Sequence, residues 1–172
     1  PVFNPNMNSY VYDIEISGGL VYAAGIFTLV NGSVSRNRLA AVSITTGTVV
    51  PGFNPNINTG VNTIAVYGGL LYAGGSFVTV GGTTLRRGAA AFNLTTGAVD
   101  AGFDPSTSVA GGGGVEALWA GPGGILLGGA FWSVNQRWRS RMAAVRRSDG
   151  VLDPDFKPEV DPTDSSSGGG VL

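Results

Sequence analysis

The chain has no cysteine and no histidine among its 172 residues. Without thiols there is no disulfide, no thiolate nucleophile and no soft-metal site, and without imidazole the commonest general base is missing. Charge is scarce at 12% and almost balanced, ten basic against eleven acidic residues for a net −1. That balance gives no global pull toward nucleic acid or an anionic membrane surface. No apolar run approaches the about 18 to 20 residues that a membrane helix needs, so no membrane insertion is expected. The amino terminus shows neither an initiating Met nor a basic leader region. The chain opens at Pro1 inside a motif that elsewhere closes a unit, and it ends in Ser165-Ser166-Ser167-Gly168-Gly169-Gly170, a linker composition. Both ends read as cuts in a longer polypeptide. Absence of cysteine fits an extracellular setting and is also common in the cytosol.

Glycine is what the chain has in excess, 29 residues beside 43% hydrophobic content. So much glycine rules out a helical protein. Its recurring positions make it punctuation between strands, and the expected class is all-β. Phe3-Asn4-Pro5-Asn6 returns as Phe53-Asn54-Pro55-Asn56, then as Phe103-Asp104-Pro105 and Phe156-Lys157-Pro158. A repeat near 50 residues follows, with units at 1–53, 54–103 and 104–158 and an acidic Ser/Gly-rich tail or linker at 159–172.

Each unit opens on alternation: Val11, Asp13 and Glu15 interleave with Tyr12, Ile14 and Ile16, and Val61 to Val66 and Val115 to Trp119 fill the same slot. Period two with β-branched residues predicts a strand. A Gly-Gly turn at 18–19, 68–69 and 123–124 leads into an apolar run, Leu20 to Ala24, Leu70 to Ala73 or Ile125 to Leu127, so a hairpin is expected. The run ends in glycine and a phenylalanine, Phe27, Phe77 or Phe131. After a polar loop, Leu39-Ala40-Ala41-Val42, Ala89-Ala90-Ala91-Phe92 and Met142-Ala143-Ala144-Val145 predict a third strand of small residues, closed by Thr46-Gly47, Thr96-Gly97 or Asp149-Gly150. An extended fourth stretch then runs into the next unit. Four short strands per unit describe a propeller blade, with a β-solenoid as the rival.

Gly-Gly-Ser-Phe-Val-Thr-Val-Gly-Gly at 74–82, Arg-Asn-Arg-Leu-Ala-Ala-Val at 36–42 and Thr-Thr-Gly-Ala-Val-Asp-Ala-Gly-Phe-Asp-Pro at 95–105 resemble the delta-60 repeats of bacterial and phage proteins. The resemblance covers nearly all of residues 3–158. It implies β-propeller blades within large secreted, cell-surface or virion-surface proteins, phage tail proteins included, and no enzyme activity or cofactor. Ala24 departs from it where the other copies have glycine, and Gly111 to Gly114 are inserted ahead of the third unit's first strand. Closed propellers generally take about 4 to 8 blades. Three would form an arc whose end faces need cover, either from other blades of the same polypeptide or from a second copy of the chain.

The third unit departs from its siblings. Trp119, Trp132 and Trp138 are the only tryptophans, and Arg137, Arg139, Arg141, Arg146 and Arg147 are half of the basic residues. Aromatics interleaved with arginine stack on sugars, on bases or on a partner protein. Trp138, Arg137 and Arg139, with Trp132 and Arg141, are the candidate ligand or partner site. Against this, Trp119 occupies the slot of Ala65 and the arginines can line a solvated loop. Arg36, Arg38, Arg86 and Arg87 recur at the matching loop end, which suggests pairing with acidic or carbonyl groups of the neighbouring unit. Asp149, Asp153 and Asp155 invite comparison with a calcium loop but lack its spacing and terminal glutamate, and no metal site is assigned. Asp13 and Glu15 share one strand face, about 7 Å apart, the geometry a glycosidase pair would need. The comparable slots of the other units carry no acid pair. The glycine clusters at 111–114 and 168–170 have neither the lysine nor the helix of a phosphate loop. The favoured reading is a non-enzymatic propeller segment for adhesion, receptor contact or structural display. A lectin-like propeller binding a surface glycan is the alternative, and a glycoside-processing enzyme the second.

Overall fold

The computed structural model describes residues 3–108 and 114–156. Pro1, Gly111 to Gly113 of the insertion, the Lys157-Pro158 marker and the acidic 159–172 tail lie outside the described residues. The chain folds as all-β, with no helix among the described residues.

In the first unit Val11–Ser17 (β1) and Leu20–Gly25 (β2) form an antiparallel hairpin, and Leu39–Ser43 (β5) joins the far edge of β2. Gly18 and Gly19 take φ of 57° and 77°, the left-handed pair that a tight type I′ turn demands. The polar loop is itself a hairpin, Leu29–Val30 (β3) on Val34–Ser35 (β4). The second unit repeats this with Val61–Tyr67 (β6), Leu70–Gly75 (β7), Thr79–Val80 (β8), Thr84–Leu85 (β9) and Ala89–Asn93 (β10). The third does so with Val115–Gly121 (β11), Gly124–Gly129 (β12), Ser133–Val134 (β13), Arg137–Trp138 (β14) and Met142–Val145 (β15). Its turn falls at Pro122-Gly123, not at Gly123-Gly124, because Gly124 pairs with Gly121. Proline cannot take positive φ, so the turn type must differ from its siblings.

The expected fourth strand is reduced to one bridge per unit: Val42 with Val49, Phe92 with Val99, and Val145 with Leu152. In the first unit the Val50 N–H still donates to Ala41 O, but the Val50 and Pro51 carbonyls accept from the Arg36 guanidinium at 3.2 and 3.0 Å. The ladder ends where the side chain takes over.

Three of the four residues of the repeated Phe-Asn-Pro-Asn marker acquire a job. The proline carbonyls of Pro5, Pro55 and Pro105 accept from Asn31, Gly81 and Asn135 N–H in the turn of each unit's own small hairpin. The next residue, Asn6, Asn56 or Ser106, sits at φ of 40° to 47°, where asparagine is better tolerated than most side chains. In the structure Phe53 and Phe103 go with the unit that follows, each facing the unit before it: Phe53 packs edge-on against Tyr22 and Phe103 against Tyr72, each at 5.2 Å between ring centroids.

Those rings belong to one interface used twice. Tyr22, Ala24, Leu39 and Ala41 of unit one pack on Phe53, Ile57, Ile64 and Leu71 of unit two in one buried cluster. Tyr72, Ala89 and Ala91 of unit two pack on Phe103, Val115 and Ile125 of unit three in another. Small residues on one side let the next sheet approach. A Cβ at Gly74 would meet Val115 Cγ1 at 2.5 Å. Asp13 Oδ2 also accepts the Ile64 N–H across the first boundary at 2.8 Å.

Candidate contact surface on the third unit

The small hairpin carries the candidate residues, and its frame is set by a repeated clamp. Asn8 Oδ1 accepts the N–H groups of Thr28 and Leu29, Asn58 Oδ1 those of Val78 and Thr79, and Ser108 Oγ those of Trp132 and Ser133. Ser108 holds the backbone of Trp132 at 2.7 Å. These clamps escaped sequence reasoning, although their 50-residue spacing was visible.

Trp138 lies opposite Ser133 in the β13–β14 ladder. It is therefore on a strand, where the sequence reading has a polar loop. The same place is held by Leu85 opposite Thr79 and by Ser35 opposite Leu29. Trp132 takes the slot of Val78 and Thr28. The two indoles meet at 5.7 Å between ring centroids with a 34° tilt, and the Arg141 guanidinium lies 5.9 Å over Trp132. Trp132 and Trp138 are both exposed, Trp138 to 68%. Beside Trp132 a cavity of about 360 Å³ is lined by that indole, Arg141, Phe131 and Glu116.

The three arginines part company. Arg137 is exposed on β14 opposite Val134. Arg139 is the third copy of a frame residue: its Nη1 donates to the Trp138 carbonyl at 3.0 Å, as Arg36 does to Ser35 and Arg86 to Leu85. Arg141 copies Arg38 and Gly88, all three with φ near 70° and an N–H bonded to the phenylalanine carbonyl of the hairpin. Its side chain, absent at Gly88, reaches the indole. The structure thus brings Trp132, Trp138 and Arg141 together and turns Arg139 toward its own backbone.

The expectation that repeat-wide arginines pair with the neighbouring unit needs correction. Arg36 and Arg86 are buried and hold carbonyls 14 and 15 residues further on, Val50 and Pro51 or Asp100 and Ala101. Arg86 adds a looser contact to Asp104 of the next unit, at 3.7 Å. Trp119 does occupy the register of Ala65, but it is 52% exposed, so it is not a core replacement.

The acid pair is only half free. Both Asp13 oxygens accept backbone N–H groups, from Ile14 and Ile64. Burial lifts the Glu15 carboxyl above its ordinary 4.5, and the Asp13 charge adds to this, while the Ile16 N–H opposes it. Asp149 is engaged by Arg146 at 2.7 Å and by the Val151 N–H, which lower its pKa. Asp153 accepts the Asp155 N–H. Among the described residues no three acidic side chains converge as metal ligands.

A larger cavity of about 570 Å³ opens between units two and three, lined by Tyr72, Asp100, Arg146, Arg147 and Ser148. Arg147 lies 4.8 Å over the Tyr67 ring. The buried Tyr72 hydroxyl has no hydrogen-bond partner there, whereas Tyr22 donates to Leu94 O at 3.0 Å.

No protein family, curated protein or solved structure matches the chain.

Proposed function

We propose that the chain is an arc of β-propeller blades without catalytic chemistry, acting by surface contact within a large secreted, cell-surface or virion-surface protein: adhesion, receptor binding or structural display. The observation that carries this reading is the Trp132–Trp138–Arg141 shelf, built on a hairpin whose backbone bonds repeat those of units one and two. The frame stays and the exposed side chains change, which is the pattern expected when a scaffold gains a contact surface. Exposed indoles beside a guanidinium supply large apolar area with a polar rim, the composition of interface anchors.

A surface glycan is the second reading, favoured by the tilted indole pair, whose faces suit the C–H face of a sugar ring, and by Glu116 and Arg141 as polar groups beside it. Binding to glycan and cell-surface protein arrays by the intact chain tests both. Loss of a captured ligand by about tenfold or more in Trp138→Ala, with an unchanged melting temperature, supports the shelf as the contact; a ligand held equally well by Trp138→Ala and Trp132→Ala removes it. A glycoside-processing role would instead require turnover that vanishes in Glu15→Gln.

A further inference from the structure

Unit one leaves an apolar face uncovered on the side away from unit two. Phe3, Val11, Ile14, Ile16, Val21 and Ile44 line a hollow of about 360 Å³ there. Fifty residues on, the same positions are Phe53, Val61, Ile64, Val66, Leu71 and Leu94, and these make the interface with unit one. Ile14 is 57% exposed where Ile64 is 3%, and Phe3 is 42% where Phe53 is 0%.

At the other end the matching half of that interface is open at Met142, half-buried at Leu126 and Gly128, and closed at Ala144. Leu126, Gly128, Met142 and Ala144 of unit three stand in the register positions of Tyr22, Ala24, Leu39 and Ala41. Met142 is 43% exposed, Leu39 0%. The acids on this side are gone as well. Ala117 and Trp119 stand where unit one has Asp13 and Glu15, and the Trp119 ring lies against Gly121, where a Cβ would meet ring carbons.

We propose that the chain binds a second copy of itself head to tail, the outward face of unit three seating on the free face of unit one. The contact would continue the interface already used twice inside the chain. It buries no carboxylate from β11, and the Ile14 N–H is already satisfied by Asp13 Oδ1 at 2.8 Å, so docking strands no donor there. The two faces are different surfaces, so the association is heterologous and either closes into a ring or grows as a filament. This inference rests on the repeated interface and not on the indole shelf.

Sedimentation and light scattering of the intact 17.5 kDa chain test it. The wild type is expected at a multiple of the chain mass at high micromolar concentration, and Ile14→Asp and Met142→Asp are each expected as monomers. Mixed together, the two variants retain one good face each and should give a one-to-one dimer and nothing larger. Both sites are exposed, so circular dichroism should match the wild type, and melting should match it at a concentration low enough for the wild type to dissociate; Ile16→Lys and Trp119→Lys serve as the second pair if they do not. A wild type that stays monomeric throughout, an assembly indifferent to either substitution, or a mixture that stays monomeric overturns the proposal.

Discussion

Units two and three share a backbone and divide its side chains differently. Around the hairpin of unit two, Val78, Leu85 and Gly88 leave a plain surface over the buried Phe77. Unit three places Trp132, Trp138 and Arg141 at those positions over Phe131, which is equally buried. Backbone N–H and carbonyl groups are satisfied by main chain and by short side chains such as Asn58 and Ser108, so exposed positions are free to vary. The bonds that hold the frame and the exposed side chains that differ therefore occupy separate positions in one hairpin.

The largest effect should fall on what the two units share. Phe77→Ala and Phe131→Ala should each cost about 3–5 kcal/mol in chemical denaturation, since both rings are fully buried. A clear inequality would show that the two frames are packed differently. Next come the arginines. Arg86→Met should cost about 2 kcal/mol, because it strips the Leu85, Asp100 and Ala101 carbonyls of their donor, and Arg139→Met should cost less, being more exposed. The tyrosines sharpen the contrast between the two boundaries. Tyr22→Phe should cost about 1 kcal/mol through loss of the bond to Leu94 O, whereas Tyr72→Phe, which removes an unpartnered hydroxyl, should be neutral or stabilising. The reverse order would mean that the Tyr72 hydroxyl has a partner in the cavity beside it.

The smallest effect is a pH dependence at Glu15. Its folded carboxyl binds a proton more tightly than the unfolded one, so the folded state holds more protons as pH rises from about the ordinary 4.5. Stability should fall across that window and level off above the raised value. Glu15→Gln should flatten this part of the stability profile, and an unchanged slope would assign it to other carboxyls.

Much of the frame was legible in sequence. Period-two alternation located β1, β6 and β11, and paired glycines located the first two turns, because these patterns follow from local backbone geometry. The Phe-Asn-Pro-Asn marker announced the repeat, but not that its proline carbonyl caps a hairpin turn some 25 residues on. Such long-range backbone bonds depend on where the chain returns. The same limit hid the fate of the arginines. Arg139 looked like part of a basic cluster beside Trp138, and only the hydrogen bond to the Trp138 carbonyl identifies it as the partner of Arg36 and Arg86. The pairing of Trp132 with Trp138 needed the two-residue turn at Asn135-Gln136, shorter by one residue than the turns of its siblings.

The central claim is that one interface joins the units twice. Nuclear Overhauser spectroscopy with selectively labelled tyrosine and phenylalanine reads it directly, since each ring pair lies at 5.2 Å between centroids in an edge contact. Cross-peaks from Tyr22 to Phe53 and from Tyr72 to Phe103, both lost on unfolding, are the predicted result. A spectrum with only one of the two pairs, or with neither in the folded chain, would contradict it.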